Sequence, residues 1–180
     1  MNTSEIKNDI ELKNKIIEHF EKQLERTNYW LSFAEVKHGA LIAINVALTA
    51  ALLTIFDKAP VFCIIAISFY LVSCVMSLSS FIPNTNSRPE TKAILNNEDA
   101  NLLFYGDIAT IGDTKKYIEL SIRKYFSGQG MSVNDRLVYD LASEIIINSQ
   151  ITAKKYRDFK RAIKVDFFAV LLTIIFLCAA

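Results

Sequence analysis

Apolar positions are concentrated in a few long stretches of this chain, and the two longest contain no charged residue. The first stretch covers the 18 residues 39–56, and the second covers the 22 residues 61–82. The segment 57–60 between them is long enough only for a turn. As helices, with a rise of about 1.5 Å per residue, both stretches can cross a hydrocarbon core of about 30 Å, the first with little slack. The pattern therefore predicts a transmembrane hairpin.

A third apolar run occupies residues 167–180. Its 14 residues form only about 21 Å of helix, which is short for a membrane span. Extension back to Ala162 gives 19 residues and places Lys164 and Asp166 at the interface, where a long Lys side chain can reach water. We therefore expect a third crossing at residues 162–180. The alternative is a helix in the membrane plane or in a protein core.

The polar segment before the first span also shows helical spacing. It contains no Pro or Gly between Asn2 and His38, so we expect one amphipathic helix that continues into the span. The spacing of its apolar seam is three or four residues, with interruptions at Lys13 and Thr27. The predicted seam consists of Ile6, Ile10, Ile17, Phe20, Leu24, Leu31 and Ala34. His19 is expected on the helix surface.

Two further helices are expected in the middle of the chain. One is amphipathic and runs from about Asp113 to Phe126. The other follows residues 132–135, which have the form of a capping box with Asp in place of Glu. The least regular region precedes both helices and carries aliphatic and aromatic residues around Gly106. Such irregular segments often hold ligand sites.

These patterns predict an all-α membrane protein with about three transmembrane helices that continue into a cytoplasmic helical bundle. The expected segments are a cytoplasmic amphipathic helix (1–38), a transmembrane hairpin (39–82), a cytoplasmic helical region (83–161) and a C-terminal transmembrane helix (162–180).

The distribution of charge predicts the orientation in the membrane. Charged residues make up 22% of the chain, although its mean hydropathy is +0.26. Of the 20 Lys and Arg residues, 19 lie outside the turn of the hairpin, and Lys58 alone lies in it. Because cytoplasmic segments retain an excess of Lys and Arg, we expect a multi-pass protein with a cytoplasmic N-terminus. A net charge of +1, with acidic and basic residues interspersed, argues against nucleic-acid binding.

Residues that carry out catalysis are sparse in this sequence. Cys63, Cys74 and Cys178 fall inside apolar runs without metal-ligand spacing, and the two histidines are His19 and His38. The sequence has neither a Gly-rich phosphate loop nor a nucleophile motif. We therefore expect a protein that is not an enzyme and that holds no metal or cofactor.

A stripe of mainly polar residues enters the first span. Glu35, His38, Ile42, Asn45 and Thr49 follow a three-four spacing and share one helix face. One interpretation is an interfacial position for His38 and an interhelical hydrogen bond from Asn45, worth about 0.6–2 kcal/mol. The other is a protein-facing or water-accessible groove, since polar groups in a membrane usually face away from lipid.

Several short motifs together resemble one known family. They are the segment 34–39 leading into Asn45, then Pro83, Arg88, the run 101–109, and Lys154, Lys155 and Tyr156 before the last apolar segment. Over residues 28–180 they resemble the transmembrane effectors of Pycsar, the bacterial pyrimidine cyclase system for antiphage resistance. Glu35 stands where the family usually has Asp, and His38 where it usually has a small residue.

The resemblance implies a small protein of the bacterial inner membrane whose functional partner is a pyrimidine nucleotide cyclase. The cyclase makes cyclic CMP or cyclic UMP on infection, and the effector responds by impairing the inner membrane, so that the cell dies before phage is released. Two other classes remain open at this point. One is a constitutive membrane scaffold, and the other is a holin-like lytic protein that needs no signal.

A sensor of a cyclic nucleotide needs a cation for the phosphate and a flat surface for the base. We expect Lys37, Arg88 or the pair Lys154 and Lys155 to neutralise the phosphate. Tyr105 or Tyr156 would stack on the base. Three crossings in a chain of 20.4 kDa cannot enclose a channel, so we also expect a homo-oligomer in the lipid bilayer.

Overall fold

The computed structural model of this protein describes residues 3–82, 100–128 and 135–179, and the side chains of 7–82, 100–128 and 135–176. All regular secondary structure in these ranges is helical, as the hydrophobic pattern predicts. The helices are α1 (Thr3–Leu53), α2 (Pro60–Ser79), α3 (Tyr105–Ile108), α4 (Thr114–Tyr125) and α5 (Arg136–Ala179).

The predicted hairpin is formed by the last part of α1 and by α2. Of the described helices, these two are long and apolar enough to cross a membrane. In their most apolar stretches only 22% and 28% of the residues are buried, unlike the core helices of soluble proteins. The turn comes slightly earlier than expected, because α1 ends at Leu53 and α2 begins at Pro60. Proline suits the first turn of a helix, where its missing N–H is not needed.

Helix α1 is continuous from the polar segment into the first apolar stretch, which confirms that prediction. The apolar seam predicted for α1 is wrong in some of its residues when it is compared with the buried face of this helix. Thr27 does not interrupt the buried face but belongs to it with Ile16, Phe20 and Gln23, whereas Ile10 is 56% exposed. The polar members can be buried because Gln23 donates to the Leu103 carbonyl at 3.2 Å and Thr27 donates to the Gln23 carbonyl at 2.9 Å.

The described residues divide into two compact units. The first contains residues 3–31, 100–128 and 135–153, and the second contains 32–82 and 154–179. Both α1 and α5 contribute to each unit.

The first unit has a conventional hydrophobic core between α1, α4 and α5. Its fully buried members include Ile16, Phe20, Ile108, Tyr117, Ile118, Ile145 and Ile146. Each large apolar side chain buried in this way contributes about 2 kcal/mol. His19 is half-buried beside this core, with its ring 5.1 Å from Tyr125 and 5.5 Å from Phe126. The surface position predicted for His19 is therefore only partly right, because the aromatic residues at the end of α4 pack against its ring.

The capping residue of α5 is Asp135. Its carboxylate accepts hydrogen bonds from the backbone N–H groups of Leu137 and Val138, at 3.0 and 3.3 Å, and it forms a 2.6 Å ion pair with Lys13. Ser132, the first residue of the predicted capping box, lies outside the described residues. The predicted helix from Asp113 is confirmed, with the Asp113 carboxylate accepting from the Lys116 N–H at 2.9 Å.

The second unit consists of the apolar half of α1, helix α2 and the last part of α5. Leu52, Ala66, Tyr70 and Ala169 form its apolar core, and Phe62 of α2 stacks on Phe176 of α5 with 3.9 Å between ring centroids. The last part of α5 therefore packs against the hairpin. A third membrane crossing by this segment stays a prediction.

The second unit buries polar side chains and exposes apolar ones. The large apolar side chains on its surface include Ile44, Val46, Val61, Ile64, Ile65, Val72, Val75, Phe167, Phe168, Leu171, Ile174 and Ile175. Its buried polar residues include His38, Asn45, Ser73, Ser77, Ser80 and Asp166. Water-soluble helical bundles show the opposite distribution.

Candidate functional site

The ammonium group of Lys155 joins three helices at one end of the second unit. Its side chain is only 11% exposed and forms a 3.2 Å ion pair with Glu35 of α1. It also donates to the carbonyl of Ser80, the residue that caps the C-terminus of α2, at 2.5 Å. Carbonyl groups at the end of a helix lack intrahelical partners and carry partial negative charge. Lys155 therefore supplies a cation where both Glu35 and the end of α2 need one.

His38 lies beside Lys155 and is fully buried. Its Nε2 atom is 3.1 Å from the backbone carbonyl of Lys155. A carbonyl oxygen only accepts hydrogen bonds, so Nε2 is the donor and carries the proton. The imidazole ring also contacts Phe81 and Phe159, with 6.3 and 5.5 Å between ring centroids. His38 thereby ties α1 to α5 and packs against aromatic rings from α5 and from the residues after α2.

Lys37 is surrounded by aromatic rings. Its Nζ atom lies 4.7 Å from the ring centroid of Phe33, 4.9 Å from that of Tyr156 and 5.8 Å from that of Phe159. All three distances lie within the range of cation–π attraction. A lysine held in this way combines a positive charge with flat aromatic faces at one place.

Among the predicted ligand residues, the structure brings together Lys37, Lys155 and Tyr156, and it adds Glu35 and His38 from the predicted polar stripe. We call these five residues the basic–aromatic cluster. Lys154 is exposed on α5. Arg88 lies outside the described residues.

Tyr105 belongs to the first unit. Its ring lies 5.6 Å from that of Trp30 and 4.6 Å from that of Phe104. A Cβ atom on Gly106 would come within 2.5 Å of the Phe104 ring, so the absence of a side chain permits this ring to lie close to α3.

The run 101–109 is held by its own polar groups. The Asp107 carboxylate accepts from the Asn101 N–H at 2.8 Å, and the Asn101 side chain accepts from the Leu103 N–H at 3.0 Å. The Tyr117 hydroxyl donates to the Leu102 carbonyl at 3.3 Å. The motif therefore has a structural role, which is to fasten this irregular segment to α4 of the first unit.

Three polar residues of the second unit were missed as site residues by sequence reasoning. Ser73 and Ser77 of α2 and Asp166 of α5 are buried, and the Asp166 carboxylate interacts with Asn45 and Ser73. A signal was present in the sequence, because the buried positions of α2 and its end recur at three-four spacing. These positions are Cys63, Ala66, Tyr70, Ser73, Ser77 and Ser80, and all are small or polar.

An open groove of about 380 Å³ runs along α4 in the first unit. It is lined by Asp113, Lys115, Lys116, Glu119, Leu120 and Arg123. None of the predicted ligand residues lines this groove.

Comparison with known proteins agrees with the resemblance drawn from the sequence. The profile of the Pycsar effector protein domain matches residues 19–180. The Pycsar effector protein RsPycTM of a Rhizobium species is 28% identical over 144 residues, which cover 76% of this chain and 80% of the relative. The Pycsar effector protein PtPycTM of Propioniciclava tarda is 26% identical over 160 residues, covering 87% of this chain and 75% of the relative. No solved structure matches the chain.

Proposed function

This chain belongs to the Pycsar effector protein family, and from that membership we propose that it is the antiphage effector of a Pycsar system. In this proposal a partner cyclase makes cyclic CMP or cyclic UMP on infection. The nucleotide binds the effector, which then impairs the inner membrane and causes abortive infection. The match of the family profile to residues 19–180 is the observation that carries the proposal. The chain acts as a membrane protein and not as an enzyme.

We place the second unit in the lipid bilayer with three crossings. Its outward-facing apolar side chains and its buried polar residues support this placement. So does the packing of the last part of α5 against both hairpin helices, through Ala169 and Phe176. The retention of 19 of 20 basic residues outside the hairpin turn supports a cytoplasmic N-terminus. A single bundle filled by its own side chains leaves no channel, so the active form is a homo-oligomer.

We assign nucleotide binding to the basic–aromatic cluster. A cyclic nucleotide carries one phosphate charge and one flat base, and Lys37 and Tyr156 offer a cation and a ring face 4.9 Å apart. Three other residues stay candidate nucleotide ligands, although none of them belongs to this cluster. They are Arg88, Lys154 and Tyr105.

Lys155 links this proposed binding site to the membrane helices. A phosphate that approaches Lys155 competes with Glu35 for the same ammonium group, which is only 3.2 Å from the Glu35 carboxylate. Release of the Lys155 ammonium from Glu35 and from the Ser80 carbonyl would loosen α5 from α1 and α2. Both α1 and α5 continue without interruption into the apolar part of the second unit. Nucleotide binding would thereby shift the population from a closed to a leaky assembly.

Calorimetric titration of the full chain in lipid nanodiscs with cyclic CMP and cyclic UMP tests direct sensing. We expect binding of one of the two, and at least a tenfold weaker affinity in Lys37→Met, because about 1.4 kcal/mol of charge-assisted binding corresponds to that factor. Absence of heat with both nucleotides at millimolar concentration would reject the sensing step. A scaffold would then be favoured if expression is harmless, and a holin-like protein if expression is toxic without a cyclase.

A further inference from the structure

Several polar side chains lie in the interior of the second unit, although the surface of this unit is apolar. Asn45 of α1, Ser77 of α2 and Asp166 of α5 are 1%, 0% and 6% exposed. Within the part of the chain that the structure describes, neither carboxylate oxygen of Asp166 has a hydrogen-bond partner. The same holds for both polar atoms of the Asn45 amide and for the Ser77 hydroxyl.

An isolated carboxylate is costly to bury, and in an apolar environment a proton or a bound cation neutralises it. The Asn45 and Ser73 side chains lie close to the Asp166 carboxylate, and both are neutral. The Ser73 hydroxyl itself donates to the backbone carbonyl of Ala162 at 3.4 Å. The neighbours of Asp166 therefore offer oxygen atoms but no compensating charge.

The charged and titratable groups described on the neighbouring helix segments do not supply a compensating charge for Asp166. His38 of α1 donates to a backbone carbonyl at the other cluster, and Tyr70 of α2 is buried and cannot supply a positive charge. On α5 itself, Lys155 pairs with a carboxylate of α1, and Lys164 is exposed. Both carboxylate oxygens of Asp166 are buried among the described residues of its own chain.

We propose that Asp166 and Asn45, with the hydroxyl of Ser73, form a binding site for one small monovalent cation, a proton or Na⁺. Carboxylate, amide and hydroxyl oxygens are hard ligands suited to such a cation. The inference rests on the proposed function only in placing the second unit in the bilayer. The site lies between α1, α2 and α5, so a cation held there would neutralise the buried carboxylate at the place where these three helices meet.

Infrared spectroscopy of the full chain in nanodiscs, with ¹³C-labelled aspartate, identifies the occupant. Spectra are compared at neutral pH in NaCl and in N-methyl-D-glucamine chloride of equal ionic strength. A protonated aspartate band that persists in both salts identifies a proton. A protonated band in N-methyl-D-glucamine that is lost in NaCl identifies Na⁺. Aspartate that is fully ionised and identical in both salts would overturn the proposal, because water would then solvate Asp166.

The variant Asp166→Asn removes the charge and keeps the shape of the side chain. In this variant we expect loss of the protonated band or of the Na⁺-dependent change, and a thermal midpoint that no longer shifts with Na⁺. Asp57→Asn, in the exposed turn after α1, is the matched control and should retain the wild-type response. A response in Asp166→Asn equal to that of the control would contradict the assignment. If the variant fails to fold, the spectra of the wild-type protein still decide the question.

This experiment contains no nucleotide and no cyclase. Failure of the cation site therefore leaves nucleotide sensing untouched, and failure of nucleotide binding leaves the infrared result unchanged.

Discussion

The ammonium group of Lys155 illustrates how a single side chain can be both a candidate ligand residue and a structural one. From the sequence, Lys155 was one of several candidate phosphate ligands, and Glu35 belonged to a polar stripe at three-four spacing. The structure pairs the two residues with each other and adds the Ser80 carbonyl. Neighbouring Lys154 has the same side chain but is exposed, which makes the two lysines a natural comparison.

Lys155→Met should lower the free energy of unfolding of the second unit by about 2 kcal/mol, because a charged hydrogen bond to the Ser80 carbonyl is lost. The ion pair adds little, since the Glu35 side chain is 46% exposed and solvent screens it. Lys154→Met should change stability by less than about 0.5 kcal/mol. Thermal unfolding in detergent measures both variants. Equal destabilisation by the two substitutions would contradict the role given to Lys155.

His19 gives the first unit a dependence on pH. Burial, with a smaller effect of the nearby Arg26 cation, holds the pKa of His19 below its ordinary value of 6.5. In the unfolded chain His19 takes up a proton as the pH falls through 6.5, while in the folded chain its lowered pKa delays protonation to a lower pH. Its contribution to stability is therefore complete above that pH and decreases as the pH falls below it.

Substitution His19→Phe should remove this dependence, because Phe fits among the rings of Phe20, Tyr125 and Phe126 and does not titrate. We expect the thermal midpoint of the wild type to fall more steeply than that of the variant between about pH 7 and pH 5. Parallel curves for the two proteins would show that His19 does not contribute.

The contrast between His19 and His38 shows what spacing can and cannot reveal about a residue. The three-four spacing of the stripe placed His38 and Asn45 on one side of α1, and both are buried. His19 was expected on the surface because it lies outside the predicted apolar seam of α1, and the rings that cover it come from residues 125 and 126. Asp166 was assigned to the interface because nothing in its own segment shows that Asn45 and Ser73 face it. Contacts distant in sequence leave no trace in local periodicity.

Among the helices, α1 and α5 are the long elements, with 51 and 44 residues. The absence of Pro and Gly before Gly39 predicted that α1 would be continuous. Its apolar seam was misassigned because hydrophobicity alone was counted, whereas Gln23 and Thr27 are buried through hydrogen bonds. The turn after α1 was placed too late because Thr54, Ile55 and Phe56 extend the apolar run but not the helix.

The beginning of α5 depends on Asp135. Asp135→Ala should destabilise the first unit by about 1 kcal/mol, the usual effect of removing an N-cap. The ion pair with Lys13 adds little, because the Lys13 side chain is 49% exposed. Asp140→Ala is the matched control, since Asp140 is 68% exposed and lies 4.0 Å from Arg136.

Hydrogen exchange in the first turn of α5, read with thermal unfolding, measures this effect. Exchange should accelerate in Asp135→Ala and stay unchanged in Asp140→Ala. Lys13 and the N–H of Val138 hold the pKa of Asp135 below its ordinary value. This contribution is therefore present at neutral pH and is lost as the pH falls through the lowered pKa. Unaltered exchange in Asp135→Ala would contradict its role as the cap.

For the chain as a whole, the two units differ in which side chains they bury and which they expose. The first unit buries apolar side chains, and the second exposes them and buries His38, Asn45 and Asp166. The apolar runs in the sequence predicted this difference, and family membership agrees with it. The partners of the buried polar groups could not be predicted, since they depend on how three separate segments meet.

Ion flux across the membrane of proteoliposomes that contain the full chain tests the account most directly, because it shows whether a nucleotide makes the membrane leaky through this protein. A voltage-sensitive dye reports the potential set by a K⁺ gradient, and cyclic CMP, cyclic UMP or cyclic AMP is added on the side of the N-terminus. The account predicts a stable potential before addition, rapid loss with one of the cyclic pyrimidine nucleotides, and no change with cyclic AMP. A potential that survives both pyrimidine nucleotides, or that collapses before any is added, would contradict it.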